Sequence, residues 1–265
     1  MTTQAELLSA LQRHLDSDGV LVGETVGRHG PNLRLRGRPD QLIGTPLSEC
    51  ASVGLALGLA AGGARVVVEL IDPAGLGRAT EALEEAARLA ALPGSAWPLS
   101  LVVLVPEGSA PPPRGLRCLT TSVAAELPAL LDEGLRSGPT VIQLVPGADA
   151  GEASAGVGPV SRVAGAGAVL VASGGGVARA RVAAEALRGQ VELIELRELP
   201  PTSSQIDELG RAVSRSGRLV LVGDEALLSR LVVAAFLSLE SPPVALTQEA
   251  DPDALIAALR GSLTY

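Results

Sequence analysis

Glu49 stands where a carboxylate is costly. It follows Thr45-Pro46-Leu47-Ser48 and opens a run, Cys50 to Ala61, that carries no further charge. Such a residue either stabilises a helix N-terminus as a cap or does chemistry that needs a dry setting, and local sequence leaves both open. Two other carboxylates end apolar runs: Glu24 follows Val20-Leu21-Val22-Gly23, and Glu69 closes Val66-Val67-Val68. Of the two histidines, His14 falls on the polar side of a first helix and is expected to be solvated. His29, in the loop Gly27-Arg28-His29-Gly30-Pro31, is a candidate site residue. Ser173-Gly174-Gly175-Gly176 follows a strand and opens a helix, where backbone N–H groups could hold a phosphate. It is not a complete G-x-G-x-x-G, and a tight strand-to-helix turn explains it equally well.

Composition removes several reaction classes. All 21 basic residues are arginine, so no lysine can form a Schiff base, serve a Walker-type loop or act as a general base. No G-x-S-x-G elbow is present. Two histidines and two cysteines without ligand spacing speak against a transition-metal site, so no metal ligand is assigned to this chain. A net charge of -8 argues against nucleic acid or an anionic membrane as partner. The N-terminus lacks the pattern of a signal peptide, and the Gly-rich run Val163 to Ala178 is too short to span a bilayer. With Cys50 and Cys118 too few for a disulfide framework, a cytoplasmic location is expected.

The elements that must position these residues follow from hydrophobic periodicity. Leu7, Leu8, Leu11 and Leu15 share one helical face. Val/Leu-rich strands are expected at 20–22, 66–70, 99–105 and 140–145, with helices at 50–61, 80–91 and 123–136 between them. Residues 147–158 are Gly, Ala, Ser and acidic, a linker by composition. Beyond it, strands near 168–172, 191–196, 219–222 and 244–246 alternate with helices at 177–188, 204–214, 226–239 and 253–260. Continuously apolar strands alternating with helices predict an α/β fold of two doubly wound domains with mostly parallel sheets, residues 1–148 and 158–265. Gly54, Gly58 and Gly62, four apart, bare one side of the helix after Glu49. That face is either buried in its own domain or pressed against a helix of another subunit.

The segment IGTPLSECASVGLALGLAAGGARVVVEL (Ile43 to Leu70) resembles the beta subunit of thiamine-diphosphate-dependent 2-oxoacid dehydrogenases, through Thr45, Pro46, Ser48, Glu49, Gly54, Gly58, Gly63, Arg65 and Glu69. Upstream, VLVGETV resembles the family's strand with an acidic residue at Glu24. Downstream, GAVLVASGGGVARARVAAEAL, VELIELRELPP and SGRLVLVGDE are similar to successive strands of the transketolase C-terminal domain, with Arg197, Pro200 and Glu225 at family positions. The resemblance implies a transketolase-like pyrimidine-binding domain followed by a transketolase C-terminal domain, in a shortened and divergent member.

That resemblance implies an oxidoreductase subunit that decarboxylates a 2-oxoacid, with acyl or ketol transfer. Glu49 matches the glutamic acid that hydrogen-bonds the pyrimidine nitrogen of thiamine diphosphate and favours its imino tautomer, a role that burial of a protonated carboxyl would serve. Glu24 and Leu76 are the further cofactor-binding positions implied, and His29 the histidine left to act on substrate. The diphosphate and its Mg2+ are held mainly by an alpha-type partner, whose Gly-Asp-Gly motif is missing here: Gly223-Asp224 runs on to Glu225. Two such pairs would form a heterotetramer. The run after Glu69, Leu70-Ile71-Asp72-Pro73-Ala74-Gly75-Leu76, lacks the family's aromatics, and the loop from Pro106 to Arg114 lacks its histidine. The alternative is therefore a catalytically degenerate scaffold or regulatory subunit that keeps the fold and binds an alpha-type partner.

Overall fold

The computed structural model describes residues 2–26, 34–92, 99–108, 113, 115–149, 151, 153–223 and 225–265. Contacts divide the chain into a unit of residues 1–156 and a unit of residues 157–265, the change falling inside the Gly/Ala-rich stretch 147–158.

In the first unit the order is α1 (Thr2–Asp16), β1 (Val20–Gly23), β2 (Leu42–Gly44), α2 (Glu49–Ala61), β3 (Val66–Glu69), α3 (Gly75–Arg78) and α4 (Thr80–Ala90). It continues with β4 (Leu101–Pro106), β5 (Arg117–Val123), α5 (Leu127–Ser137) and β6 (Thr140–Asp149). These strands run side by side as β5-β6-β4-β3-β1-β2, every pair parallel. A parallel sheet needs a crossover at each connection, and the crossovers cover both faces. Val66, Val67 and Val68 are accordingly fully buried, and so are all of Leu101 to Val105.

Two elements depart from the periodicity. The strand β5, Arg117-Cys118-Leu119-Thr120-Thr121-Ser122-Val123, pairs with β6 and is concealed in the sequence by its hydroxyl residues, and the expected helix at 123 starts only at Leu127, after a 3-10 turn. Part of its polarity is absorbed locally: Thr121 Oγ1 donates to Oε2 of the buried Glu126, whose Oε1 accepts from the backbone N–H of Ser154 at 2.9 Å. The three-residue β2 pairs with β1 without any apolar run to announce it.

His14 is not solvated. It lies three residues after Leu11 on the apolar stripe of α1, and its ring rests on the bare backbone of Gly19, where a Cβ would come within 2.3 Å. Its Nε2–H donates to the carbonyl of Val20 at 3.1 Å, while Nδ1 is buried without a partner.

In the second unit β7 (Val160–Val163), β8 (Gly165–Ala172), α6 (Gly176–Ala186), β9 (Gly189–Glu195) and β10 (Glu198–Leu199) are followed by α7 (Ser203–Ser216), β11 (Leu219–Val222), α8 (Glu225–Ala235), β12 (Val244–Leu246) and α9 (Pro252–Leu263). The order β12-β11-β8-β9-β7 is parallel except for the antiparallel edge strand β7. Alternation along the strands divides the core: Ala168, Leu170 and Val220 pack with α6 and α9, whereas Val169, Val171 and Leu221 pack with α7 and α8.

Burial lowers the pKa of His14 from its ordinary 6.5, so the folded chain favours the neutral ring. The stabilisation is complete above pH 6.5 and is lost as the pH falls toward the lowered folded value, because the unfolded chain takes up the proton first. Urea unfolding from pH 8 to 5 is expected to show a loss of stability in the wild type that His14→Gln lacks; parallel curves would refute it.

Candidate active site

Glu49 sits where three elements meet at the C-terminal edge of the first sheet. The Thr45 N–H donates to the carbonyl of Gly23, the last residue of β1, at 3.0 Å. The Thr45 and Ser52 hydroxyls are 2.7 Å apart, and Ser52 Oγ also donates to the Ser48 carbonyl at 3.0 Å. This short ladder fixes the turn before α2 to both strand and helix. Ser48, not Glu49, is the N-cap: its Oγ accepts from the Ala51 N–H at 3.4 Å. Glu49 is the first helical residue, where the helix dipole favours an anion.

The structure gives its carboxyl a different setting from the dry, protonated one expected. The side chain is 15% exposed, and Oε1 accepts from both Nε (2.9 Å) and Nη2 of Arg78. The same Nη2 donates to Asp72 Oδ2 at 2.6 Å, so one guanidinium, itself 48% exposed, serves two carboxylates. Asp72 is fixed in turn by the Ala74 N–H, which donates to Oδ1 at 3.0 Å. The hydrogen bond from Arg78 is the main reason the Glu49 pKa is lowered, and Arg78 lowers Asp72 likewise. Glu49 alone therefore holds an anion, not a proton. Gly75 makes the contact possible: a Cβ there would lie 3.1 Å from Glu49 Cγ.

Glu24 and Glu69 end neighbouring strands at this edge, with Gly23 paired to Glu69 across β1 and β3. Gly23 has to be small, because a Cβ would meet the Glu69 carbonyl at 3.0 Å. Thr25 Oγ1 donates to Glu69 Oε2 at 3.0 Å. Glu24 is 7% exposed, and its Oε1 is buried with no hydrogen-bond partner among the described residues. A buried acceptor without a donor is costly in a finished chain and useful in a site that receives one.

Of the positions implied by resemblance, Glu24 and Glu49 thus share one edge of the sheet. Leu76 does not join them: it is 1% exposed within the core and offers no surface to a ring. His29 lies outside the described residues. Arg78 and Asp72 carry the electrostatics of the site, and sequence reasoning missed Arg78 because 29 residues separate it from Glu49. The Ser173–Gly176 segment behaves as a tight turn: the Gly176 and Val177 N–H groups donate to the Ser173 and Gly174 carbonyls, both at 3.1 Å, and a Cβ on Gly176 would meet Val222 Cγ1 at 3.0 Å. Cys118 is buried, which pushes its thiol up to about 12 and leaves it inert. No cluster of three or more His, Cys, Asp or Glu able to hold a metal occurs among the described residues, and no helix among them is long and apolar enough to cross a membrane.

Comparison with solved structures places the fold. A split-gene transketolase chain, described as an inactive beta4 tetramer, superposes with a TM-score of 0.74 over 99% of this chain and 98% of its own, at 16% identity. The fold is transketolase-like. A 2-oxoglutarate:ferredoxin oxidoreductase from Magnetococcus marinus, with 2-oxoglutarate, coenzyme A and succinyl-CoA bound, superposes with a TM-score of 0.65 at 11% identity. The match covers 99% of this chain and 64% of that one. No family model matches the sequence. On this fold the chain carries at its sheet edge an ion-paired Glu49 and a Glu24 whose Oε1 has no partner among the described residues.

Relieving the unpartnered acceptor is expected to stabilise the free chain. Glu24→Gln should add about 1 kcal/mol by replacing a buried charge with a neutral amide. Thermal or urea unfolding measures this, and a destabilised variant would mean that Glu24 is satisfied in solution.

Proposed function

We propose that this chain is the beta-type subunit of a heteromeric thiamine-diphosphate-dependent enzyme acting on a 2-oxoacid, active only with an alpha-type partner. The observation that carries the reading is the presence, at one sheet edge, of Glu49 at the front of an apolar helix and of a Glu24 oxygen buried without a donor among the described residues. This donor set suits an aminopyrimidine: Glu24 Oε1 is an acceptor for an N–H, and the Glu49 carboxyl can share a proton with a ring nitrogen. Thiamine diphosphate, when bound, supplies a nucleophilic carbon and an electron sink for decarboxylation. In this reading Glu49 orients the pyrimidine and holds the shared proton at its carboxyl oxygen, and Glu24 fixes the exocyclic amine. Diphosphate and Mg2+ fall mainly to the partner, since this chain has no Gly-Asp-Gly sequence.

The surface of α2 supports a seat for another subunit. Ala51, Gly54, Leu55 and Gly58 are exposed along one side of an otherwise uncharged helix, and Cβ atoms on Gly54 and Gly58 would meet nothing within 4 Å. Leu47, 83% exposed, extends that apolar surface beside Glu49. A helix apolar all round is normally covered. The related split-gene chain described as a beta4 tetramer suits self-association as well, and a heterotetramer would use both kinds of contact. The scaffold reading remains as a second one, favoured by the Arg78 pair on Glu49 and by the absence of an accessible Leu76.

Purification of the chain with its native partner, followed by assay of bound thiamine diphosphate, tests the proposal. About one cofactor per pair is expected. Glu49→Gln should abolish turnover of the complex while leaving its assembly intact; retained turnover would sink the assignment, and an empty wild-type complex would favour the scaffold.

Gly54→Ala and Gly58→Ala should each stabilise the isolated chain by about 0.5–1 kcal/mol, because alanine is the better helix former and space is free. The same changes should weaken assembly in sedimentation experiments, as the added methyls hold a neighbouring helix away. Undiminished assembly would remove α2 from the interface.

A further inference from the structure

We propose that Arg78 is a latch on Glu49: it occupies the carboxylate that an aminopyrimidine would use, and the pair must open, with Arg78 retained by Asp72, before Glu49 can serve the site. The inference rests on the reading of Glu49 just given and concerns a device in this chain.

The geometry supplies the three parts of such a latch. The first is the block. Both Nε and Nη2 of Arg78 converge on Glu49 Oε1, a forked, charge-assisted contact that consumes the acceptor. The second is a place for the guanidinium to stay. Nη2 is already bonded to Asp72 Oδ2 at 2.6 Å, so release from Glu49 leaves the cation with a counter-ion. The third is freedom to move. Arg78 ends the one-turn helix α3, its side chain is half exposed, and among the described residues that side chain bonds Glu49 and Asp72 alone. Gly77, beside it, has open space where a Cβ would be. A partly exposed pair of this kind is weak enough to break without disturbing the core. Among the described residues the charged groups acting on Glu49 are Arg78 and Asp72, and both lie on the segment 72–78.

Cutting the latch is expected to have two effects on the full-length chain. Carbon-detected NMR of the Glu49 carboxyl, assigned by its loss in Glu49→Gln, should show a depressed titration midpoint in the wild type that rises toward the ordinary carboxylate value in Arg78→Gln. Calorimetric titration with 4-amino-2-methylpyrimidine should show the variant binding about tenfold tighter, the worth of one regained charge-assisted hydrogen bond. Arg78→Lys, which keeps the charge, should return both readings toward wild type, and the gain should vanish when Glu49→Gln is added to Arg78→Gln.

An unmoved midpoint, equal or weaker binding by Arg78→Gln, no binding by either protein, or a gain that survives Glu49→Gln would each overturn the latch. Its fate separates from that of the functional reading. A native complex that carries thiamine diphosphate while Arg78→Gln gains nothing leaves the reading intact and ends the latch. A gain in the variant with an empty native complex does the reverse.

Discussion

A parallel sheet has to be covered on both faces, and here the covering is done almost entirely with leucine, valine, isoleucine and alanine. The sequence has one Phe, one Trp and one Tyr. Small aliphatics leave little tolerance for a polar group inside the sheet, so strands such as Val66–Val68 and Leu101–Val105 are sealed, and polar side chains emerge mainly where strands end. Glu24 and Glu69 therefore stand at the ends of the neighbouring strands β1 and β3, and the turn that leads to Glu49 is tied to Gly23 at the same edge. The location of the site follows from this one packing constraint.

Charge at that edge is governed by arginine. A guanidinium presents several donors in a fixed plane, and Arg78 uses two on Glu49 while sharing one with Asp72. A lysine ammonium has no such fork. The Glu49 carboxyl, already favoured as an anion at the helix start, is held there more firmly by Arg78. Glu24, at the same edge, has the opposite condition: its buried oxygen has no donor among the described residues. One acceptor is over-served and the other unserved, an imbalance that suits a surface completed by something further.

The second unit repeats the packing logic without the chemistry. Its strands split their side chains between α6 with α9 and α7 with α8, and the Gly-rich turn after β8 consumes its own N–H groups. Two of that turn's N–H groups are bonded to preceding carbonyls and Val222 lies against its third glycine, the features of a tight strand-to-helix turn.

Hydrophobic period and linker composition alone determined the α/β alternation, the parallel sheets and the position of Glu49 at the head of an apolar helix, because those features depend on neighbours a few residues apart. Only the tertiary structure decided the rest. The strand β5 is hidden in sequence because Thr120, Thr121 and Ser122 read as polar, and it is stable because Glu126 accepts from Thr121 across a tight turn. His14 reads as a surface residue until Gly19 supplies the space that buries it. Leu76 stands at a position the resemblance assigns to the cofactor, yet its side chain fills the core. Above all, the lowered pKa of Glu49 comes mainly from Arg78, 29 residues away and brought close only when β3 and α3 have packed. Local sequence fixes which groups reach a site; the charge state they hold there comes from residues that only folding makes neighbours.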